Sequence, residues 1–267
     1  MSLLIPIAAM SVLGLLFAVG LVLAYKKLQV PIDPRLDKVA AALPQANCGA
    51  CGYPGCQALA EAILSGQATP ESCPVGSNEV AREIAGIMGV EAGAMTKKFA
   101  RVHCRGTTTA AKPRGRYLGL PECRPAHLLG GNTLCQFGCM GFGDCVRACP
   151  FEAMAMGPDG LPVVFEARCT GCGRCVEACP RQIMELHSAD QDVLVFCRST
   201  DRGPVARKVC DNACIGCGIC VRDFPEAVTM ENFLARVVDY KKIPPERMSE
   251  LDKCPTKAIG KIGGRCD

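Results

Sequence analysis

Hydrophobic and polar positions are distributed very unevenly along the chain. No side chain from Met1 to Tyr25 is charged, and "LLIPIAAMSVLGLLFAVGLVLA", Leu3 to Ala24, is an uncharged, predominantly apolar run of 22 residues. About 20 such residues carry a helix across a hydrocarbon core at about 1.5 Å per residue. A secretory signal would begin with positive charge; here Lys26 and Lys27 follow the run instead. By the positive-inside rule the N-terminus faces outward and everything after Lys26 is cytoplasmic. A buried core helix is the alternative, and its length without a charge argues against it.

Beyond a linker, "QVPIDPRLDK", the periods become short. "QALAEAIL" after Cys56 predicts a helix. A second is expected to start near Asn78, a suitable N-cap, with Val80, Ile84, Ile87 and Met88 as its apolar stripe. From Lys97 to Arg124 no period survives, and "GTTTAAKPRGR" predicts an exposed loop. Lys97, Lys98, Arg101, Arg105, Lys112, Arg114, Arg116 and Arg124 stand there against one acid, Glu122. Such a run is either solvated surface or a docking face. Later, "LPVVFEA", "DVLVFC" and "ARVVDY" predict short strands.

The 267 residues include 21 cysteines. That density implies a disulfide scaffold or metal binding. Disulfide scaffolds are short and secreted, whereas this chain is longer and sets its cysteines in C-x-x-C runs, which suit a reducing cytoplasm. There is no tryptophan and aromatic residues make up 5%, so large apolar cores are not expected. Small metal domains instead fold around their metal. The net charge of +4 gives no indication of nucleic-acid binding.

The cysteines fall into groups. Cys48, Cys51, Cys56 and Cys73 have the spacing C-x2-C-x4-C-x16-C. "CTGCGRCVEACP" from Cys169 is the bacterial ferredoxin run C-x2-C-x2-C-x3-C-P. In that run three thiolates hold one [4Fe–4S] cluster and the fourth, before proline, holds its neighbour. Zinc normally takes two C-x-x-C knuckles rather than a triplet followed by CP. Cross-ligation predicts one cluster on Cys135, Cys139, Cys145 and Cys179, and another on Cys169, Cys172, Cys175 and Cys149. The first triplet is spaced more widely, with Gly138, Gly141 and Gly143 in its loop.

A second unit, "CIGCGICVRDFPEAVT", starts at Cys214, and "CPTKAI" at Cys254. Cys214, Cys217, Cys220 and Cys254 complete one cluster. Its neighbour would need a cysteine at 224 and a triplet near 243–250, where the chain has Phe224 and "IPPERMSE". One whole cluster is therefore missing and the other intact, and Phe224 fills apolar space. Cys104, Cys123, Cys197 and Cys210 flank the first unit, whose first and last strands lie side by side. They could bind a fifth cluster or be free buried thiols. Cys266 is not expected to be a ligand.

The apolar span, "CGACGYPGC" with a distal "CP", "LLGGNTLCQFGCMGFGDCVRACPFEAM" and the ferredoxin triplet together resemble the B subunit of the Rnf ion-translocating oxidoreductase complex. The resemblance extends to about Ile259. It implies a membrane complex that exchanges electrons between ferredoxin and NAD and drives Na⁺ or H⁺ across the membrane. Its partners would be other membrane and peripheral subunits, soluble acidic ferredoxin, and membrane lipid, with no nucleic acid. The expected role is electron transfer through four or five [4Fe–4S] clusters. There is no G-x-G-x-x-G fingerprint after a strand and no P-loop. Nicotinamide and flavin sites are therefore expected on other subunits, and catalytic residues in this chain are not. A single span without intramembrane charge is also a poor ion path. The alternative is a cluster-bearing subunit of another anaerobic enzyme, such as a carbon monoxide or corrinoid system.

The expected fold is α+β. Residues 1–26 form a transmembrane anchor, 27–92 a small helical [4Fe–4S] domain, and 93–132 a basic linker. Residues 133–196 form a two-cluster ferredoxin module and 197–267 a second module with one cluster lost.

Overall fold

The computed structural model describes residues 4–28 and 33–262. The start of the linker, residues 29–32, and the C-terminal residues 263–267 with Cys266 lie outside the described residues. Helix α1 (Leu4–Leu28) is apolar on every face. Its stretch Ile7–Leu28 is long and apolar enough to cross a membrane, and none of it is buried against the rest of the protein.

Three helices form the next unit: α2 (Arg35–Ala42), α3 (Cys56–Leu64) and α4 (Asn78–Met88). Val39, Leu59, Ile63 and Ile84 meet at its centre, each at most 2% exposed. Full burial of such side chains is worth about 1.5–3 kcal/mol apiece, so a small core suffices to hold the cysteine loop. Of the expected stripe, Ile84 is buried, and Val80, Ile87 and Met88 cover the edge. The N-cap is Ser77, not Asn78: its side chain accepts from Val80 N–H at 3.4 Å. Asn78 is the first helical residue. Its Oδ1 accepts from Met95 N–H at 2.8 Å and ties the outgoing chain back to the helix.

The remainder is built twice. The first repeat runs β1 (Lys98–Val102), α5 (Cys123–Leu128), α6 (Asp144–Arg147), β2 (Met154–Met156), β3 (Pro162–Val164), α7 (Arg174–Ala178), β4 (Met184–Ser188). The second runs β5 (Val193–Val195), α8 (Gly203–Val209), α9 (Ile219–Asp223), β6 (Val228–Glu231), β7 (Leu234–Val237), a 3-10 helix (Pro245–Lys253), β8 (Ile259–Lys261). In each, the outer strands pair antiparallel, β1 with β4 and β5 with β8, while the inner strands form the hairpins β2–β3 and β6–β7. The register of the first outer pair runs from Lys98↔Ser188 to Val102↔Met184.

This corrects the reading of residues 93–132 as a linker. "KFARV" is a strand despite its charges, because Phe99 and Ala100 face the core with Met154, Val164 and Met184. Arg101 is buried at 7% exposure and pairs with Glu166, as a buried charge must. The second repeat likewise begins at β5, before residue 197. Where the first repeat has α7, the second has the 3-10 helix. Phe224 ends α9 at 4% exposure, packed among Val228, Ile243 and Leu251, with Arg247 over its ring at 4.9 Å.

Candidate metal centres

Every cysteine among the described residues is a free thiol, and the fold gathers them in groups. Cys48 and Cys51 sit on the loop before α3, Cys56 opens α3, and Cys73 follows the short 3-10 turn Pro70–Ser72. Burial raises the Cys73 thiol; N–H groups of Gly76 and Val75 oppose this, and Cys51 and Cys56 add to it. Asn47 Oδ1 accepts from Cys56 N–H at 2.9 Å and closes the loop.

Cys149, Cys169, Cys172 and Cys175 line a single cavity beneath β4. Burial pushes the Cys175 thiol up to about 12, with Cys169, Cys172 and Cys149 adding to it. Cys214, Cys217, Cys220 and Cys254 line the equivalent cavity in the second repeat. Burial there raises Cys220 to about 11. Cys254 feels burial too, but the N–H groups of Ile259, Thr256 and Ala258 outweigh it and lower the thiol below its ordinary value. The fold thus brings each of these two groups of thiols together around one cavity.

The loops share one backbone. Gly171 and Gly173 flank Cys172 with φ of 70° and 80°, and Gly216 and Gly218 flank Cys217 with φ of 65° and 74°. Left-handed residues of this kind are readily supplied by glycine, and they turn successive N–H groups toward an anion. Gly141 and Gly143 repeat the pattern with φ of 78° and 77°, but the residue between them is Phe142.

The remaining cysteines lie in two adjoining groups. Cys135 lines a cavity between the repeats with Cys104, Cys139, Cys197 and Cys210. The space over Gly138 Cα lies 3.3 Å from Cys135 Sγ and 3.7 Å from Cys104 Sγ; that over Gly106 lies 3.4 Å from Cys104 Sγ and 3.5 Å from Cys210 Sγ. Cys123, at the start of α5, lies near Cys139, Cys145 and Cys179. Burial raises Cys123, and Cys179 adds to this while Phe142 N–H opposes it. Burial also raises Cys145 to about 12, with Cys179 and Cys123 as the next causes. Asp144 Oδ2 holds the start of α5 by accepting from Cys123 N–H at 3.0 Å. A signal was present in the sequence. Aligning "CMGFGDC" with "CTGCGRC" and "CIGCGIC" puts Phe142 at the middle cysteine.

The donor set fits iron–sulfur clusters. The convergent ligands are thiols, backbone N–H groups point at several of the sulfurs, and a buried cation stands nearby. Arg181, 8% exposed, donates among the described residues to the carbonyls of Cys135, Gly138 and Gly130. Burial lowers its pKa, and the nearby Cys135, Cys139, Cys104 and Cys123 oppose that. A buried guanidinium without a carboxylate partner is intelligible beside thiolate-ligated clusters, which carry net negative charge.

The groups also adjoin one another. Cys172 feels the charge of Cys48, and Cys145 that of Cys175. Cys139 N–H donates to Cys104 Sγ at 3.4 Å, and Cys214 N–H to Cys197 Sγ at 3.3 Å. The thiol sets thus follow one another in an unbroken series from the helical unit through both repeats.

Convergent thiol sets on paired ferredoxin-like repeats define an iron–sulfur electron-transfer protein. The family described as "Putative Fe-S cluster" matches residues 43–75, and "4Fe-4S dicluster domain" matches residues 135–184. The chain is 46% identical to the B subunit of the Na(+)-translocating ferredoxin:NAD(+) oxidoreductase complex of Acetobacterium woodii, over 97% of this chain and 78% of that protein. It is 43% identical to the B subunit of the ion-translocating oxidoreductase complex of Methanosarcina acetivorans, over 92% and 94%. With the B subunit of the proton-translocating ferredoxin:NAD(+) oxidoreductase complex of Clostridium ljungdahlii it shares 40% identity over 96% and 91%. The chain belongs to the B-subunit family of ion-translocating oxidoreductase complexes. It is an iron–sulfur electron-transfer subunit of a multi-subunit, membrane-associated redox complex.

Proposed function

We propose that this subunit takes electrons from soluble acidic ferredoxin and passes them inward, in a complex that couples electron transfer between ferredoxin and NAD to Na⁺ or H⁺ translocation. The observation that carries the reading is the unbroken series of thiol sets. Bound clusters supply one-electron transfer. The chain's own residues supply spacing, burial and charge. The relatives' names support the ferredoxin, NAD and ion assignments.

In this reading α1 anchors the subunit. Lys26 and Lys27 at its C-terminal end favour a cytoplasmic position for everything that follows. No substrate site is assigned to this chain, so NAD reduction and ion movement belong to other subunits. The basic segment around Arg114 and Arg116 meets ferredoxin or the anionic lipid surface.

The test is genetic and biochemical. Anaerobic membrane vesicles lacking this chain should lose ferredoxin-dependent NAD reduction together with the coupled ion uptake. Restoring the full chain should recover both. Vesicles that keep both activities without the chain would sink the proposal.

A further inference from the structure

The two repeats correspond position by position up to the cavity between them. Cys104 precedes Gly106 as Cys197 precedes Ser199. Cys104 Sγ accepts from Gly106 N–H at 3.3 Å, and Cys197 Sγ accepts from Ser199 N–H at 3.4 Å. Each of these sulfurs also accepts from the first cysteine of a loop, Cys139 on one side and Cys214 on the other. Cys135 and Cys210 stand four residues before those same cysteines, in "CQFGC" and "CDNAC". His103 N–H donates to Ile183 O at 2.7 Å, and Phe196 N–H to Ala258 O at 2.6 Å, at matching points of the two outer strand pairs.

Charge at the cavity follows the same arrangement. Burial raises Cys104 to about 11, and Cys135 and Cys210 add to it. Burial raises Cys210 to about 11, with Cys135 and Cys197 adding. Cys139 also lines this cavity, but its thiol faces Cys145 and Cys123 as well as Cys104; of the other four thiols each repeat contributes two, and neither repeat alone could complete a set.

We infer that the junction holds a [4Fe–4S] cluster on Cys104 and Cys135 from the first repeat and Cys197 and Cys210 from the second. Cys123 completes the adjoining set with Cys139, Cys145 and Cys179. It serves in place of the middle cysteine that Phe142 has displaced. The thiols support both halves independently of any partner subunit, and the described cysteines then divide into five sets of four with none left over. The inference rests on the reading of the chain as an iron–sulfur protein and adds the ligand partition.

Phe142 permits a test by gain as well as by loss. Its backbone has the glycine-flanked, left-handed setting that places Cys172 and Cys217 in their own loops. The full chain, purified anaerobically and reconstituted, should carry about twenty iron atoms. Cys123→Ala should lose about four of them and one reduced-state electron paramagnetic resonance signal. Adding Phe142→Cys should restore both. Cys135→Ala and Cys210→Ala should each lose a different signal, the same one in both, and their double variant should lose no more iron than either alone. Signals from the other centres report that the variants are folded.

Two results would overturn the partition. One is failure of Phe142→Cys to restore iron to Cys123→Ala in protein that keeps the other signals. The other is loss of about eight irons in the Cys135→Ala, Cys210→Ala double variant. Iron content is read without ferredoxin or NAD. A fully loaded chain that fails to accept electrons from ferredoxin therefore overturns the proposed function and leaves the ligand partition standing.

Discussion

The Arg181 guanidinium donates to the Cys135 carbonyl at 2.8 Å, within a buried space shared by two thiol sets. It comes two residues after Cys179, so the segment that follows one candidate ligand places a positive charge beside thiols of the neighbouring set. Reduction adds negative charge to a site that is already anionic. A fixed cation there favours the reduced state.

Arg181→Met removes that charge at similar length. A unit charge at about 8 Å in an effective dielectric of about 20 is worth about 2 kcal/mol, or about 90 mV for one electron. The two adjoining centres should become harder to reduce by an amount of that order. Arg181→Lys should shift them less. Potentiometric titration followed by electron paramagnetic resonance reads both shifts, and the signals of the helical unit and of the Cys214 group should not move. A uniform shift of all centres would mean a structural lesion rather than a local charge effect.

Cys254 lies far along the sequence from Cys214, yet both line one cavity with Cys217 and Cys220. Cys214→Ala and Cys254→Ala should each abolish the same spectroscopic signal, and the double variant should show one lesion. Two independent losses of iron in the double variant would refute the grouping.

Phe224 closes the space where a second cluster would be ligated in a symmetric repeat. Its ring is 4% exposed and packs against Ile243 and Leu251, which the 3-10 helix segment brings in. Phe224→Cys should therefore add no iron, because no triplet faces it. Phe224→Ala should cost about 3–5 kcal/mol, the usual range for such a truncation, seen as a clear fall in melting temperature. Iron gained by Phe224→Cys would show that the position can still ligate.

The parts legible in the sequence were those set by local spacing. A C-x2-C-x2-C run fixes its own loop, and its CP cysteine is carried to the next site by the repeat itself. The helices after Cys56 and near Asn78 followed from apolar period, with the cap displaced by one residue to Ser77. β1 was hidden because a strand with Lys98 and Arg101 looks polar until Glu166 is seen to pair with the buried arginine. The proposed exchange of Cys123 and Cys135 depends on which thiol the tertiary fold brings over the Phe142 loop. Counting cysteines cannot distinguish the two arrangements. The repeat alignment, which sets Phe142 at the position of Cys172 and Cys217, favours the exchange.

The basic segment of the first repeat is smaller than its charge count suggests. Arg101 is buried, Arg105 stacks over Phe196 at 3.7 Å, and Lys112 pairs with Asp211 at 2.7 Å. Lys97 and Lys98 are exposed at the start of β1, and Arg114, Arg116 and Arg124 are exposed beyond it. The three arginines share their stretch with exposed Leu118, Leu120, Leu128 and Leu129, and Arg124 adjoins Cys123. Apolar side chains surrounded by cations suit a transient acidic partner: charge steers the encounter and apolar contact completes it. Arg114→Glu with Arg116→Glu should slow electron uptake from reduced ferredoxin by about tenfold or more at low salt, within the range that steering commands. The difference should shrink at high salt, where the screening length falls from about 10 Å at 0.1 M to about 3 Å at 1 M. Iron content should be unchanged. Detergent-solubilised complex removes anionic lipid as the explanation. A second-order rate equal to that of the unmodified complex at low salt would leave these arginines as solvated surface and move the entry point elsewhere.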